Sequence, residues 1–223
     1  MPPLLVFDVN ETLLDLGSLD PHFERSFGSA SVRREWFAQL LQMAFVATIT
    51  QTYEDFGVLA KAALEVIEQR HHISLSSDAC SRILETLRNL PPHPDVTQGL
   101  ERLRQGGLRM VALTNSPPAV VEHQLTNAGI RSNFERVFSV DSVRCYKPAP
   151  QPYLMVAQEL GVEPRSLLMV AAHSWDMTGA MRAGLRGAFI ARPSQVLDAL
   201  TPKPDYVAAD LRELADLILQ RVT

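Results

Sequence analysis

The chain has 223 residues, 46% of them hydrophobic, and a formal net charge of −4, enough to bury a sizeable core as one domain or as one domain with a smaller insertion. It shows no Lys/Arg run and no basic stripe, so a nucleic-acid partner is not expected. No apolar stretch reaches transmembrane length and the N-terminus lacks the basic start and cleavage site of a signal peptide, which predicts a soluble, cytoplasmic protein with no membrane partner. Cys80 and Cys145 are the only cysteines; their spacing fits no metal site, and two reduced thiols are expected.

Leu4, Leu5, Val6 and Phe7 form an unbroken apolar run, the pattern of a parallel strand covered on both faces. Asp8 falls where that run turns polar, at the C-terminal end of the strand, and Asn10, Glu11 and Thr12 follow as a turn. Open α/β sheets bind ligands in the crevice outside those strand ends. From Leu16 to about Leu90 the periodicity is helical, through Trp36, Leu40, Leu41, Ala44, Phe45 and Ile49 and again through Leu59, Ala62, Ala63 and Ile67. A wholly helical block after one buried strand predicts an inserted lid, with the Pro-rich stretch from Leu90 to Pro94 as its return hinge. His71 and His72, near a helix end, suit an interaction with the helix dipole better than a metal site.

Beyond the hinge, helix and strand alternate. The pattern predicts a helix over 95–105, a strand over 108–113 reached through Gly106 and Gly107, a helix over 118–128 and a short strand over 137–140. It continues with a helix over 152–160, a strand over 167–170, a helix over 177–183, a strand over 188–190, a weak strand over 206–207 and an amphipathic helix over 211–219. That alternation specifies an α/β fold with a parallel sheet.

Polar residues follow each of the first strands: Asp8 to Thr12, then Thr114-Asn115-Ser116, then Lys147-Pro148, then His173-Ser174-Trp175-Asp176. Helix capping explains one such cluster. Four clusters that include two acids and a lysine, all directed to one crevice, point to a catalytic site.

These residues, in this order, resemble the haloacid dehalogenase superfamily, and Tyr146-Lys147-Pro148 with Tyr153 and the run from Ser174 to Ala180 resemble its L-2-haloacid dehalogenase branch. The resemblance implies a Rossmann-like core formed by residues 1–15 and 91–223, with an all-helical cap domain over 16–90. It also implies metal-independent hydrolysis of small 2-haloalkanoic acids. In that chemistry Asp8 displaces halide from carbon, and water then hydrolyses the aspartyl ester. By the same resemblance Lys147 keeps Asp8 ionised, Thr12 holds its second oxygen, and Asp176 orients Lys147 or helps activate water. Thr114 and the backbone amides of Val9 and Asn10 would take the substrate carboxylate. Asn115 and the indole N–H of Trp175 would meet the halide, Tyr153 would lie near lysine and substrate, and Phe45, Phe56 and Trp175 would form apolar walls.

Several residues depart from the pattern. Asn10 stands where the superfamily's phosphatases carry a general acid, and an amide cannot protonate an alkoxide. Ala172 stands where they carry a metal-binding acid, so no cofactor is expected and Mg²⁺ enters only with the phosphatase alternative. Alignment through Trp36 and Phe56 puts Ala47 at the position of the branch's halide-binding cap arginine. His173 replaces an asparagine and could serve as base toward water or as donor to the leaving group; fluoride, the most basic halide, would gain most, which brings fluoroacetate within scope. The remaining alternatives are a Mg-dependent small-metabolite phosphatase, a hydrolase of a strained-ring carboxylate, and a fold-retaining binding protein without turnover. Exposed helix faces leave room for a homodimer.

Overall fold

The computed structural model describes residues 3–221. Six strands, β1 (Leu4–Phe7), β2 (Met110–Thr114), β3 (Arg136–Ser139), β4 (Leu167–Ala171), β5 (Arg186–Ile190) and β6 (Tyr206–Ala208), form one all-parallel sheet in the order β3-β2-β1-β4-β5-β6. β1 lies between β2 and β4, with Leu5 opposite both Met110 and Leu168. The order reverses at this strand, and the crevice of such a sheet opens at the switch point. Asp8 is the first residue past it.

The unbroken apolar runs follow from two-sided cover. Leu5 and Phe7 pack with residues of α5 (Val96–Gln105), α6 (Pro118–Asn127) and α9 (Leu211–Leu219), whereas Leu4 and Val6 pack with α7 (Pro150–Leu160) and α8 (Ser174–Arg182).

Between β1 and α5 the chain forms four helices, α1 (Asp20–Phe27), α2 (Val32–Ile49), α3 (Phe56–His71) and α4 (Ser77–Arg88). Asp55 caps α3 by accepting Gly57 N–H at 2.6 Å, and Ser76 caps α4 through Ala79 N–H at 3.2 Å. Trp36 is fully buried and ties α2 to α3, its indole donating to Ala60 O at 3.0 Å. The outgoing and returning segments run side by side: Leu14 bridges Pro92, Asp15 N–H donates to Pro91 O at 2.8 Å, and His93 N–H donates to Leu13 O at 2.9 Å.

Several expected boundaries move, and two of them bear on the site. β2 starts at Met110 because Leu108 completes the end of α5, its N–H donating back to Leu103 O at 3.1 Å across Gly107 at φ 73°. α8 begins at Ser174, three residues before the expected start, so Trp175 and Asp176 lie in its first turn. His71 ends α3 and its Nε2 lies 2.9 Å from Glu35 Oε2, a specific partner beyond the helix dipole. Cys80 and Cys145 are both free thiols, and no helix among the described residues is long and apolar enough to cross a membrane.

Candidate active site

Asp8 is anchored by its own N–H to Val170 O at 3.0 Å, and its side chain is buried between two unlike flanks. On the first, Lys147 Nζ donates to Asp8 Oδ1 at 2.8 Å, to Asp176 Oδ2 at 2.7 Å and to Leu113 O at 3.2 Å, using all three of its protons. The remaining oxygen of Asp176 accepts the Tyr153 hydroxyl at 2.5 Å. Thr12 Oγ1 donates to Asp8 Oδ2 at 2.6 Å and is itself fixed by Ala172 N–H at 2.9 Å. Gly179 allows α8 this close to the lysine loop: a Cβ there would meet Pro148 O at 2.5 Å.

Burial opposes charge on Asp8, but Lys147 and His173 outweigh it and hold the carboxyl well below the usual carboxylate range. Burial likewise works against the Lys147 ammonium, and Asp176 and Asp8 overcome it and raise its pKa. Burial pushes the Asp176 carboxyl up against the pull of Lys147. Asp8 and Lys147 therefore face each other as an ion pair.

The second flank has hydrogen-bonding capacity to spare. His173 Nε2 lies 2.9 Å from Glu11 Oε2, while its Nδ1 lies 3.6 Å from Asp8 Oδ2 and has no hydrogen-bond partner. The imidazole stacks on the Trp175 indole, centroids 5.0 Å apart at 27°, and lies 6.0 Å from the Phe37 ring. Trp175 Nε1 is a second buried donor without a partner, and Phe45 meets that indole edge-on at 5.6 Å. Burial would discharge His173, but the charges of Asp8 and Glu11 and the contact with Glu11 prevail and push its pKa up to about 9. Against the cost of burial, His173 and Arg33 lower Glu11. Arg33 Nη1 stands 3.9 Å from Glu11 Oε1 and also pairs with Asp20. A cleft of about 620 Å³ opens here, with Glu11, Arg33, Phe37, His173 and Trp175 in its wall.

Asp8, Thr12, Lys147, Asp176 and His173 thus form one cluster. Asn115 borders it, its Oδ1 accepting Lys147 N–H at 3.1 Å, and Thr114 Oγ1 accepts Ser116 N–H at 3.1 Å. Asn10 donates to Ser116 Oγ at 3.3 Å and accepts from Gln124 at 3.2 Å. The Val9 side chain belongs to the core. Tyr153 lies near the lysine, as expected: fully buried in the layer formed with α7 and α8, it donates its hydroxyl to Asp176, whose other oxygen holds Lys147. Phe56 packs on Tyr146, centroids 5.8 Å apart, instead of walling the site.

The alignment of the cap arginine with Ala47 also fails on geometry. Ala47 lies in a groove with Leu59 and Val66 of α3, and the α2 residue that meets His173 is Phe37, ten positions earlier. Sequence reasoning missed Phe37, Arg33 and Glu11 as site residues. The one available signal was an acid placed directly inside the turn after β1.

The donor set does not fit a divalent cation. The Lys147 ammonium holds one oxygen of Asp8 and one of Asp176, and Tyr153 takes the latter's other oxygen. Among the described residues no group of three or more His, Cys, Asp or Glu side chains could hold a metal ion.

A carboxylate nucleophile ending the central strand of a doubly wound parallel sheet, paired with a buried lysine, defines a class of hydrolases that work through an aspartyl intermediate. The chain belongs to the haloacid dehalogenase-like hydrolases, whose family model matches residues 3–184. It is 26% identical over 215 residues to an (S)-2-haloacid dehalogenase of Pseudomonas sp. (strain YL), covering 96% of this chain and 93% of that one. The structure of an L-2-haloacid dehalogenase from Xanthobacter autotrophicus with chloropropionic acid covalently bound is similar at TM-score 0.90 and 25% identity, over 98% of both chains. A defluorinating L-2-haloacid dehalogenase is similar at TM-score 0.82 and 25% identity, over 97% of this chain and 95% of that one.

Proposed function

We propose that this protein is a hydrolytic dehalogenase of small 2-haloalkanoic acids, including fluorinated ones. The observation that carries the reading is the setting of Asp8, whose two oxygens are held by Lys147 and Thr12, with the amide Asn10 in place of a second acid. Halide leaves without a proton donor, whereas a phosphoester's alkoxide needs one. Asp8 attacks the halogen-bearing carbon, forming the C–O ester bond as the carbon–halogen bond breaks; water then attacks the Asp8 acyl carbon and releases the hydroxy acid.

The residues take the following roles. Lys147 keeps Asp8 charged, and Asp176 orients Lys147 with Tyr153 behind it. The unpartnered N–H of Trp175 and the amide group of Asn115 donate to the departing halide, and Thr114 with the Val9 and Asn10 backbone receives the substrate carboxylate. His173 contributes beside the nucleophile. Residues 16–90 act as a cap over a core of residues 1–15 and 91–223, with Phe45 and Phe37 excluding water from the closed site. The reading is of a metal-free, cytoplasmic enzyme with a small-molecule partner.

Halide release from chloroacetate, fluoroacetate and 2-chloropropionate in EDTA tests it, with intact-mass analysis of rapidly quenched protein. Release that survives EDTA, a mass increase matching an ester, and loss of both in Asp8→Asn are expected. No release from any of the three overturns the reading.

A further inference from the structure

The two backbone N–H groups that follow Asp8 have nothing to bond. Those of Val9 and Asn10 donate to no group among the described residues, although both residues are buried. Buried N–H groups are almost always paired, and successive ones in a turn form a concavity that suits an anion. The turn's backbone is fixed from within: Leu13 and Leu14 N–H both donate to Val9 O, at 2.9 and 3.0 Å, and Glu11 N–H donates to Leu14 O at 2.7 Å. From outside it is held through the Asn10 side chain.

Gln124 does that holding. It is fully buried on the face of α6 that otherwise buries Val121 and Leu125. Its Nε2 donates to Leu87 O, in the last turn of α4, at 2.7 Å. A backbone carbonyl only accepts, so this contact fixes which end of the amide is nitrogen. The second proton of Nε2 goes to Asn10 Oδ1 at 3.2 Å, which in turn directs Asn10 Nδ2 to Ser116 Oγ at 3.3 Å. Ser116 N–H donates to Thr114 Oγ1 at 3.1 Å, and its carbonyl accepts from Ser139 Oγ at 2.8 Å. Gln124 Oε1 is left without a partner. An unpaired buried acceptor is costly, and both donations are made against that cost.

We propose that Gln124 is a positioning residue for the substrate carboxylate: by tying Asn10 to the end of α4, it aims the Val9 and Asn10 N–H groups, with Thr114, at one anion. The inference rests on the dehalogenase reading, which supplies a substrate that bears a carboxylate. Gln124 itself touches no reactant. It acts through Asn10 and Ser116, so its loss loosens the grip on the carboxylate and leaves the halide end, at Trp175, as it was. Its anchor is a carbonyl of the helical insertion, so the receiver is complete only with the insertion seated on the sheet.

NMR titration of the free protein separates the two ends, with propionate followed at the Val9 and Asn10 amide signals and bromide at the Trp175 indole N–H signal. In Gln124→Leu the propionate Kd is expected to rise about three- to tenfold, as for the loss of one net hydrogen bond, with the bromide Kd within about twofold. Asn10→Ala removes the same contact from its other end and serves in place of Gln124→Leu if that variant does not fold. The double variant should bind propionate no more weakly than either single one. With chloroacetate, KM should rise by a similar factor while kcat holds within about twofold. Equal weakening of propionate and bromide, unchanged propionate binding, additive losses in the double variant, or no propionate response in wild type overturns the inference. Halide release by wild type tests the dehalogenase reading separately: if propionate binding follows Gln124 but no haloacid is turned over, that reading falls and the receiver stands.

Discussion

The two flanks of Asp8 are built on opposite principles. On the Lys147 side the ammonium and both oxygens of Asp176 are hydrogen-bonded, and Lys147, Tyr153 and Asp176 are fully buried. On the His173 side two buried nitrogens, His173 Nδ1 and Trp175 Nε1, have no hydrogen-bond partner among the described residues, and the wall opens to a cleft. A saturated network is rigid and has nothing left to offer a reactant, whereas an orphaned buried donor is costly until something binds it. The closed flank sets the charge of Asp8; in the proposed reaction the open flank is where reacting molecules complete the hydrogen bonding.

The most severe break is in the closed flank. Lys147→Met leaves two carboxylates in low dielectric without their shared cation, and removing one partner of a buried ion pair typically destabilises by about 3–5 kcal/mol. Urea unfolding should show that loss, with halide release abolished as Asp8 takes up a proton. A fall in activity without a fall in stability would mean that the pair is not buried as described.

The open flank is probed by pH. The His173 pKa is raised to about 9 from 6.5, so its stabilisation is fully present below about pH 6.5 and is lost as pH rises through about 9. A shift of this size corresponds to a few kcal/mol, at 1.36 per unit. Wild type should therefore lose stability between pH 6.5 and 9 in urea melts relative to His173→Gln, which lacks the titrating ring. Parallel curves for the two proteins would show that the imidazole is not held by Asp8 and Glu11.

A smaller effect tests how tightly the closed flank is packed. Gly179→Ala forces a methyl against the Pro148 backbone, and overpacking of this kind costs about 1–3 kcal/mol. A lowered Tm with reduced kcat is expected, because the lysine loop has to shift. The smallest effect on turnover distinguishes the two candidate α2 positions. Ala47→Arg should leave halide release within about twofold, since the residue faces α3, whereas Phe37→Ala, which removes the ring beside His173, should change KM or kcat by more. The reverse pattern would restore Ala47 as the site-facing position.

Much of the fold was legible because burial imposes periodicity. Two-sided cover makes β1 an unbroken apolar run, and the amphipathic pattern placed α9 at 211–219 to the residue. Boundaries slipped where hydrogen bonding at a helix end decided them, as at Leu108, whose N–H belongs to α5.

By itself the sequence determined the parallel α/β sheet, the helical insertion after the first strand, and the grouping of Asp8 with Thr12, Lys147 and Asp176, since each lies at a strand end or just beyond one. Tertiary structure alone decided which side chains meet. Glu11 and His173 are 162 positions apart, and only a left-handed backbone at Glu11 together with the β1–β4 register brings them to hydrogen-bonding distance. Tyr153 turned to Asp176 because α7 packs on the far face, and Phe37 took the place expected of position 47 because the crossing of α2 sets which of its turns faces the sheet. Periodicity tells a residue whether it is buried; register and helix crossing tell it against what.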